Sequence, residues 1–547
     1  MSDVKPTGPE TTPSTNGVPT SPPDAPPPVH DPSRDLPSED RDASAELRER
    51  AAKIRAEMGG TKRIDAIHAE GRWTAREHID ALLDDGSFRE HGTFAVSERP
   101  EDRETTPGEG KIAGRGKVEG RGVIVVADDA TVKRASTSIV SARKVHQMFD
   151  AAIRDGKPLV YYGETGGARI PDIMGSENFT LMPPPDYVAR RARRVPMVSV
   201  ITGESFGASS FYSATSDLTI QLPGTCLAIT SPRVIEFATG QKITMEELGG
   251  PEVHAKTTGQ IDLTAEDPAH ASRLVREFLS YLPSNNWTPP PRAEAIDPPD
   301  VDLEKIVPAA RRRAWNVKKL IDGVADEGSA FELMPDFGKS VVTSLARLGG
   351  RPVGFVASQP MVQAGVLGPD ACDKATRFIC LCDAYGLPLV FLHDTPGFMV
   401  GTGVEHRRLL HKAMMMWQAV SLAEVPKLAV IVRKSYGVAD YAMAGIGMRS
   451  DLLVAWPRAE IGFMDPDTAA NVLFPGTEAD DVAARTARAE EIALDIGPLG
   501  AAGAMRVDEV IEPGTTPAVL RAALDDLDDR PFRPGSERTL ATWPTSW

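Results

Sequence analysis

Two apolar runs of the chain end on loops of small residues, a pattern suited to holding a negative charge with backbone amides. Val195 to Thr202 (VPMVSVIT) runs into G-E-S-F-G-A-S-S, and Val425 to Val432 (VPKLAVIV) runs into R-K-S-Y-G-V-A-D. A small-residue loop at a helix start leaves the first N–H groups without intrahelical acceptors, so they can point at a developing anion. One preorganised donor of this kind is worth about 3 to 4 kcal/mol to an oxyanion or enolate. A second pair of loops, E-T-G-G-A-R from Glu164 and D-T-P-G-F-M from Asp394, offers further amides. Two converging sets form a hole. Taken singly, such glycines serve only tight turns and helix-to-sheet packing; their occurrence as two duplicated pairs favours the chemical role.

Other chemistries find less support. His146, His254, His406 and His411 lack metal-ligand spacing to one another or to a carboxylate, so no metal site is expected. There is no Walker loop, and Ser205 or Ser209 as a nucleophile lacks a base. The runs Arg190, Arg191, Arg193, Arg194 and Arg311 to Arg313 suit either phosphates or a solvated face.

The elements that must position these loops are legible from a repeat. Pro158 and Pro388, Glu164 and Asp394, Pro196 and Pro426, and Gly207 and Gly437 all stand at one and the same separation along the chain. IDALLDDGSFREHGTF from Ile79 matches IDGVADEGSAFELMPDF from Ile321, each a helix closing on an acidic turn, and KVEGRGVIVVADD matches RLGGRPVGFVASQ as a strand hairpin. Short apolar strands (Leu159 to Tyr162, Met197 to Thr202, Leu389 to His393, Leu428 to Val432) alternate with helical stretches such as Ser138 to Ile153 and Glu405 to Ala423. This alternation predicts right-handed βα crossovers in a layered α/β unit, present twice. Ligands of such folds collect at the carboxyl ends of the strands.

The proline-rich stretch WTPPPRAEAIDPPDVD (Trp287 to Asp302) separates the copies, giving domains at 43–290 and 303–547. Residues 1–42 hold almost no large apolar side chain and read as a disordered tail, followed by a helix over Ala43 to Met58. A net charge of -16 argues against non-specific binding to nucleic acid or to an anionic membrane. No apolar segment approaches the ~20 residues of a membrane span, and the amino terminus lacks a signal-peptide layout. Cys226, Cys372, Cys380 and Cys382 form no CxxC pair and read as reduced, buried thiols, so the expected compartment is the cytoplasm.

The stretches GGTKRIDAIHAEGRWTAREHIDALLDDGSF, ETGGARI, SPRVIEFATGQKITMEELGG, RPVGFVASQPMVQAGVLGPDACDKATRFICLCDAYGLPLVFLHDTPGFMVGT and VAWPRAEIGFM, in this order from Gly59 to the carboxyl terminus, resemble the carboxyltransferase (β) subunit of biotin-dependent acyl-CoA carboxylases, the acetyl- and propionyl-CoA carboxylase type. The resemblance implies two tandem crotonase-like (ClpP/crotonase) domains, each a ββα superhelix, the first holding acyl-CoA and the second holding biotin. It implies a homo-hexamer, a trimer of dimers, whose sites lie between subunits. It further implies carboxyl transfer from carboxybiotin to the α-carbon of a coenzyme A thioester, with separate biotin carboxylase and biotin carboxyl carrier partners, because the chain has no Met-Lys-Met biotinylation site and no recognisable ATP-grasp module.

Carried over by position, the acyl-CoA hole falls on Gly167 and Ala168 with Ala208 and Ser209, and the biotin-side hole on Gly397 and Phe398 with Val438 and Ala439. Gly166, Gly207 and Gly437 flank them, and Tyr441 takes the position that faces the acyl chain. Where the family favours G-G-A, this chain has Gly207-Ala208-Ser209 and Gly437-Val438-Ala439; Asp440 sits beside an expected anion, and Ala130 to Ala135 replaces a glycine-rich stretch. Two other readings remain: a biotin-independent decarboxylase or other acyl-CoA enolate enzyme, and a non-catalytic subunit of a carboxylase complex.

Overall fold

The structure, a computed structural model, describes residues 42–183, 186–473 and 482–543. The proline-rich stretch read as disordered lies, up to residue 41, outside them. The described residues divide at Ala52 into an amino-terminal segment and a compact unit from Lys53 onward. A helix with no buried residue runs over Ala43–Glu57, as its run of strong helix formers predicts.

Residues 53–547 build two eight-stranded sheets. The first contains β1 (Arg89–His91), β2 (Lys111–Val118), β3 (Arg121–Asp128), β4 (Leu159–Thr165), β5 (Met197–Ser205), β6 (Leu218–Gln221), β7 (Cys226–Leu227) and β8 (Leu263–Thr264). The second contains β9 (Phe331–Leu333), β10 (Val341–Leu348), β11 (Arg351–Ser358), β12 (Leu389–Thr395), β13 (Lys427–Tyr436), β14 (Leu452–Ala455), β15 (Glu460–Gly462) and β16 (Glu509–Val510). Their orders are β1-β2-β3-β4-β5-β6-β8 with β7 beside β5, and β9-β10-β11-β12-β13-β14-β16 with β15 beside β13. An antiparallel hairpin leads into parallel strands in both.

The repeat holds at the level of single pairs. Leu159 pairs with Met197 and Leu389 with Lys427, and both ladders slip at the same place, between Gly163 and Thr165 and between His393 and Thr395. Upstream the spacing differs. Arg115 on β2 and Leu345 on β10 occupy equivalent places, but their partners Arg89 and Phe331 do not keep the common separation. The first half carries the longer connection, between β1 and β2, and coils it into two short 3-10 stretches, Pro100–Thr105 and Pro107–Gly110. The acidic turns have a defined task. Asp84 accepts from the N–H groups of Glu119 and Gly120 (2.9 and 2.8 Å), and Asp326 from those of Gly349 and Gly350 (2.7 Å each), pinning each hairpin turn to the preceding helix.

The long crossover helices, Ile139–Asp155 and Pro369–Tyr385, end on left-handed Gly156 and Gly386, which spare a Cβ at φ 63° and 76°. The helix expected over Glu405 to Ala423 is interrupted. Thr402–Glu405 and Leu409–Leu422 form separate helices because Arg408 between them is left-handed at φ 63°. The largest apolar cluster includes Leu82, Val125 and Phe278 from the first half with Phe331, Ile379, Ala439 and Leu540 from the second. Polar bonds seal the same junction, Tyr385 Oη to Asp217 Oδ2 at 2.7 Å and Arg377 to Asp262 at 2.8 Å. The two copies thus share one large apolar cluster, and each has a smaller one of its own. All four cysteines are buried and free.

Candidate active site

Each site begins where a central parallel strand gives way to a helix. Beyond β5, Gly207 takes φ 61°, ψ -128° and opens the helix Ala208–Ala214; beyond β13, Gly437 takes φ 59°, ψ -145° and opens Val438–Ala442. That conformation is essentially confined to glycine. It turns the chain at the helix start, and in the first half it sets Gly207 against Gly167 on the loop following the neighbouring strand. That loop is tied down by a single parallel bridge, Thr137 with Ala168 in one half and Leu367 with Phe398 in the other.

The bonding of the amides separates the predicted residues. Gly166 N–H donates to Arg134 O (3.1 Å), Gly167 N–H to the Thr165 hydroxyl (3.2 Å), and Gly207 N–H to Ile229 O (3.1 Å). In the second half Gly397 N–H donates to the Thr395 hydroxyl (3.3 Å) and Gly437 N–H to Gly462 O (3.0 Å). The amides of Ala168, Ala208 and Ser209, and of Phe398, Val438 and Ala439, have no acceptor among the described residues. Ser209 and Ala439 are 1% and 0% exposed and set back in the core. The open amides at the surface are therefore Ala168 with Ala208, and Phe398 with Val438.

The acidic first residue of each strand-end loop is an anchor. Glu164 is held by Arg72, and Asp394 by Arg433 (2.9 Å) and the Trp315 indole N–H (2.7 Å). Burial raises both carboxyls above their ordinary range, in Glu164 to about 7, while the neighbouring cations oppose the rise. Asp440 turns away from the open amides. Only 6% exposed, it accepts from the Ser435 hydroxyl at 2.7 Å and from Ile446 N–H at 2.8 Å.

The segment that replaces glycines is bent as though it contained them. Lys133, Arg134 and Ala135 take φ 49°, 54° and 49°, and Gln363 and Ala364, at the equivalent places of the second repeat, take 48° and 54°. Left-handed backbone costs an L-residue about 1 to 2 kcal/mol. In return Arg134 O holds Gly166 N–H, and Ala135 O receives the Thr165 hydroxyl (2.9 Å) and the Lys111 ammonium (2.9 Å).

Around the first loop lies a cleft of about 550 Å³ lined by Arg63, Arg72, Lys133, Arg134, Glu164 and Gly166, among others. Arg63 binds Thr131 O (2.6 Å), Lys133 pairs with Asp102 (3.0 Å), and Arg134 pairs with Glu204. Arg169 is withdrawn instead into a buried bond with Glu109 (2.8 Å). Of the arginine runs, Arg191 is buried against Asp217 (2.7 Å) and Arg311 is held by Glu460 (2.8 Å) and Asp465 (2.7 Å), so both are structural. A second cleft of about 550 Å³, between the halves, contains none of the loop residues.

Tyr441, 38% exposed, stacks on Trp417 with ring centroids 5.4 Å apart. Phe211 is 51% exposed at the matching place on the first helix, a symmetry that the sequence repeat contained. Among the described residues no cluster of His, Cys, Asp or Glu suited to a metal is present, and no helix is long and apolar enough to cross a membrane.

The geometry finds close relatives. The sequence matches the family described as the carboxyl transferase domain over residues 66–538. It is 38% identical over 509 residues to the carboxyltransferase subunit of propionyl-CoA carboxylase from Haloferax mediterranei, covering 90% of this chain and 97% of that one. It is 36% identical to the methylmalonyl-CoA decarboxylase subunit alpha of Veillonella parvula, covering 87% and 94%. Among solved structures, the transcarboxylase 12S hexamer with methylmalonyl-coenzyme A bound superposes with a TM-score of 0.83 at 33% identity, over 91% of this chain and 98% of that one. This also settles the crotonase-like architecture in two tandem copies. With its paired amide loops and a family match across both halves, the chain is a member of the carboxyl transferase domain family.

Proposed function

We propose that this chain moves a carboxyl group from carboxybiotin, carried by a partner biotin carboxylase and carrier protein, to the α-carbon of an acyl-CoA. The observation that carries this reading is the duplicated pair of open amides, Ala168 with Ala208 and Phe398 with Val438. A carboxyl transfer of this kind develops two anions, a thioester enolate and the ureido oxyanion left by the departing carboxyl group, and two donor pairs match them. The carboxylates beside the loops are all engaged: Glu164 by Arg72, Glu204 by Arg134, Asp394 by Arg433 and Asp440 by Ser435. Among the described residues beside the loops none of these carboxylates is unpartnered, and carboxybiotin would supply both the CO2 to which the enolate carbon bonds and the ureido anion that takes the α-proton. The chain's part is to bind, orient and stabilise charge.

The first half takes the acyl-CoA, in the cleft where Arg63, Lys133 and Arg134 stand beside Glu70 and Glu204; Lys133 and Arg134 would exchange their partners Asp102 and Glu204 for its phosphates. The second half takes biotin. Val400, Phe237 and Phe463 are 88%, 94% and 81% exposed, and this reading has them covered in a homo-oligomer in which the site is completed by a second copy. The 12S relative is a hexamer. Buried thiols suit work in the cytoplasm.

The test is carboxylation of acetyl-, propionyl- and longer thioesters by the purified chain, with and without the carboxylase and carrier. Partner-dependent product confirms the reading; acyl-CoA binding without it overturns it. The Veillonella relative favours decarboxylation as a second reading, which would show as loss of CO2 from methylmalonyl-CoA.

A further inference from the structure

The two amide sites are held in different ways. In the second, His393 on β12 is completely buried, with Nδ1 2.9 Å from the Ser435 hydroxyl on β13. That hydroxyl donates to Asp440 Oδ1 at 2.7 Å, so its oxygen accepts from His393, which fixes the imidazole as the Nδ1–H tautomer. Asp440 Oδ2 accepts from Ile446 N–H at 2.8 Å, and Asp440 O from Gly445 N–H at 2.8 Å. Gly445 must lack a side chain here, since a Cβ would lie 2.1 Å from Asp440 Oδ1. One continuous relay thus runs from β12 through β13 to both ends of the turn at 440–446.

The first half has no counterpart. The equivalent residues there are Gly163, Ser205 and Ser210. Ser205 meets Ser209 at 2.8 Å, and Ser210 donates back to Gly207 O at 2.8 Å. A side chain at 163 has no room, because a Cβ there would lie 2.8 Å from Ser209 Oγ. The difference follows helix length. Ala208–Ala214 has seven residues, whereas Val438–Ala442 has five and so fewer intrahelical bonds to fix its first turn.

We infer that His393, Ser435 and Asp440 are positioning residues of the second site, a buried relay that aims the Val438 amide by anchoring the turn behind it. Resting on the carboxyl-transfer reading, it assigns the relay to the biotin half alone. Loss of the relay lets the helix start drift, and a displacement of about 1 Å costs on the order of 100-fold in rate. The donors of the first site, Ala168 and Ala208, follow other strands, β4 and β5.

The experiment compares the full chain with Ser435→Ala, which deletes one hydroxyl, and Asp440→Asn, which keeps the volume. The expected result is a roughly 10- to 100-fold fall in kcat for partner-dependent carboxylation that exceeds any change in the KM for acyl-CoA. Amide hydrogen exchange should rise in the 437–446 segment alone. Unchanged kcat in both variants, unchanged exchange in that segment, or a rise in acyl-CoA KM equal to the loss in kcat would overturn the proposal. Should the unmodified chain itself fail to carboxylate any thioester, the carboxyl-transfer reading falls, and hydrogen exchange alone then decides whether the relay anchors the turn.

Discussion

Gly207 lies against Gly167: a Cβ built on Gly207 would find the Gly167 Cα, 3.9 Å away, as its nearest neighbour beyond the adjacent residues. The loops after β4 and β5 therefore converge at the predicted hole, and the open amides of Ala168 and Ala208 belong to one site. Ala208 is the first residue of its helix, a position that accepts proline without loss of a helical bond. Ala208→Pro deletes the donor, and kcat should fall on the order of 100- to 1,000-fold while the melting temperature holds. Val438→Pro should do the same in the second half. Steady-state kinetics beside thermal unfolding checks both, and full activity in either variant removes that amide from the mechanism.

The stacked pair Trp417 and Tyr441 bears on substrate choice. Such a stack contributes about 0.5 to 1.5 kcal/mol beyond burial. Tyr441→Asp removes it and places a charge beside the proposed acyl group, so the ratio of kcat/KM between acetyl- and longer acyl-CoA should shift by about tenfold or more. A profile identical to wild type would show that Tyr441 does not line the acyl site.

Lys144 and Lys374, at equivalent places in the two copies, cap backbone carbonyls in the core: Lys144 those of Gly92, Gly108 and Lys111, and Lys374 those of Met334 and Phe337. Burial lowers them to about 8 and about 7 from an ordinary 10.5. Between these values and 10.5 the unfolded chain binds more protons than the folded one, so stability rises with pH across that window and falls as pH drops through it. Denaturant midpoints at pH 7, 8 and 9 should increase in that order, and Lys374→Met should flatten the trend.

Ala364, exposed and left-handed at φ 54°, bears a strain that glycine would not. Ala364→Gly relieves about 1 to 2 kcal/mol and loses about 0.4 to 1 kcal/mol to greater unfolded-state freedom. A net gain of roughly 0.5 to 1 kcal/mol is expected in chemical denaturation.

Much of this was legible because strand alternation and loop chemistry both recur at one fixed interval; β4 with β12 and β5 with β13 fall where Pro158, Pro388, Pro196 and Pro426 announce them. The donors were legible only in part. That Gly167 gives its N–H to Thr165, leaving Ala168 open, depends on the turn adopted, which composition does not encode. The break at Arg408 was invisible for the same reason, a left-handed residue inside an otherwise helical pattern. The signal for His393 is a lone imidazole at the end of the buried run LVFLH, a polar group whose burial calls for a partner such as Ser435. Glu164 and Asp394 looked like loop carboxylates, and only their partners reveal them as anchors.

The shared core has a consequence for how the molecule comes apart. Phe278 and Phe331 flank the proline-rich connector yet sit in the same apolar cluster, and Arg193 reaches the carbonyls of Leu540 and Trp543 near the far end of the chain. The two copies of the motif are thus not separable melting units. The two halves should lose structure together, and a protease cut within the connector should leave both fragments associated through the cluster they share.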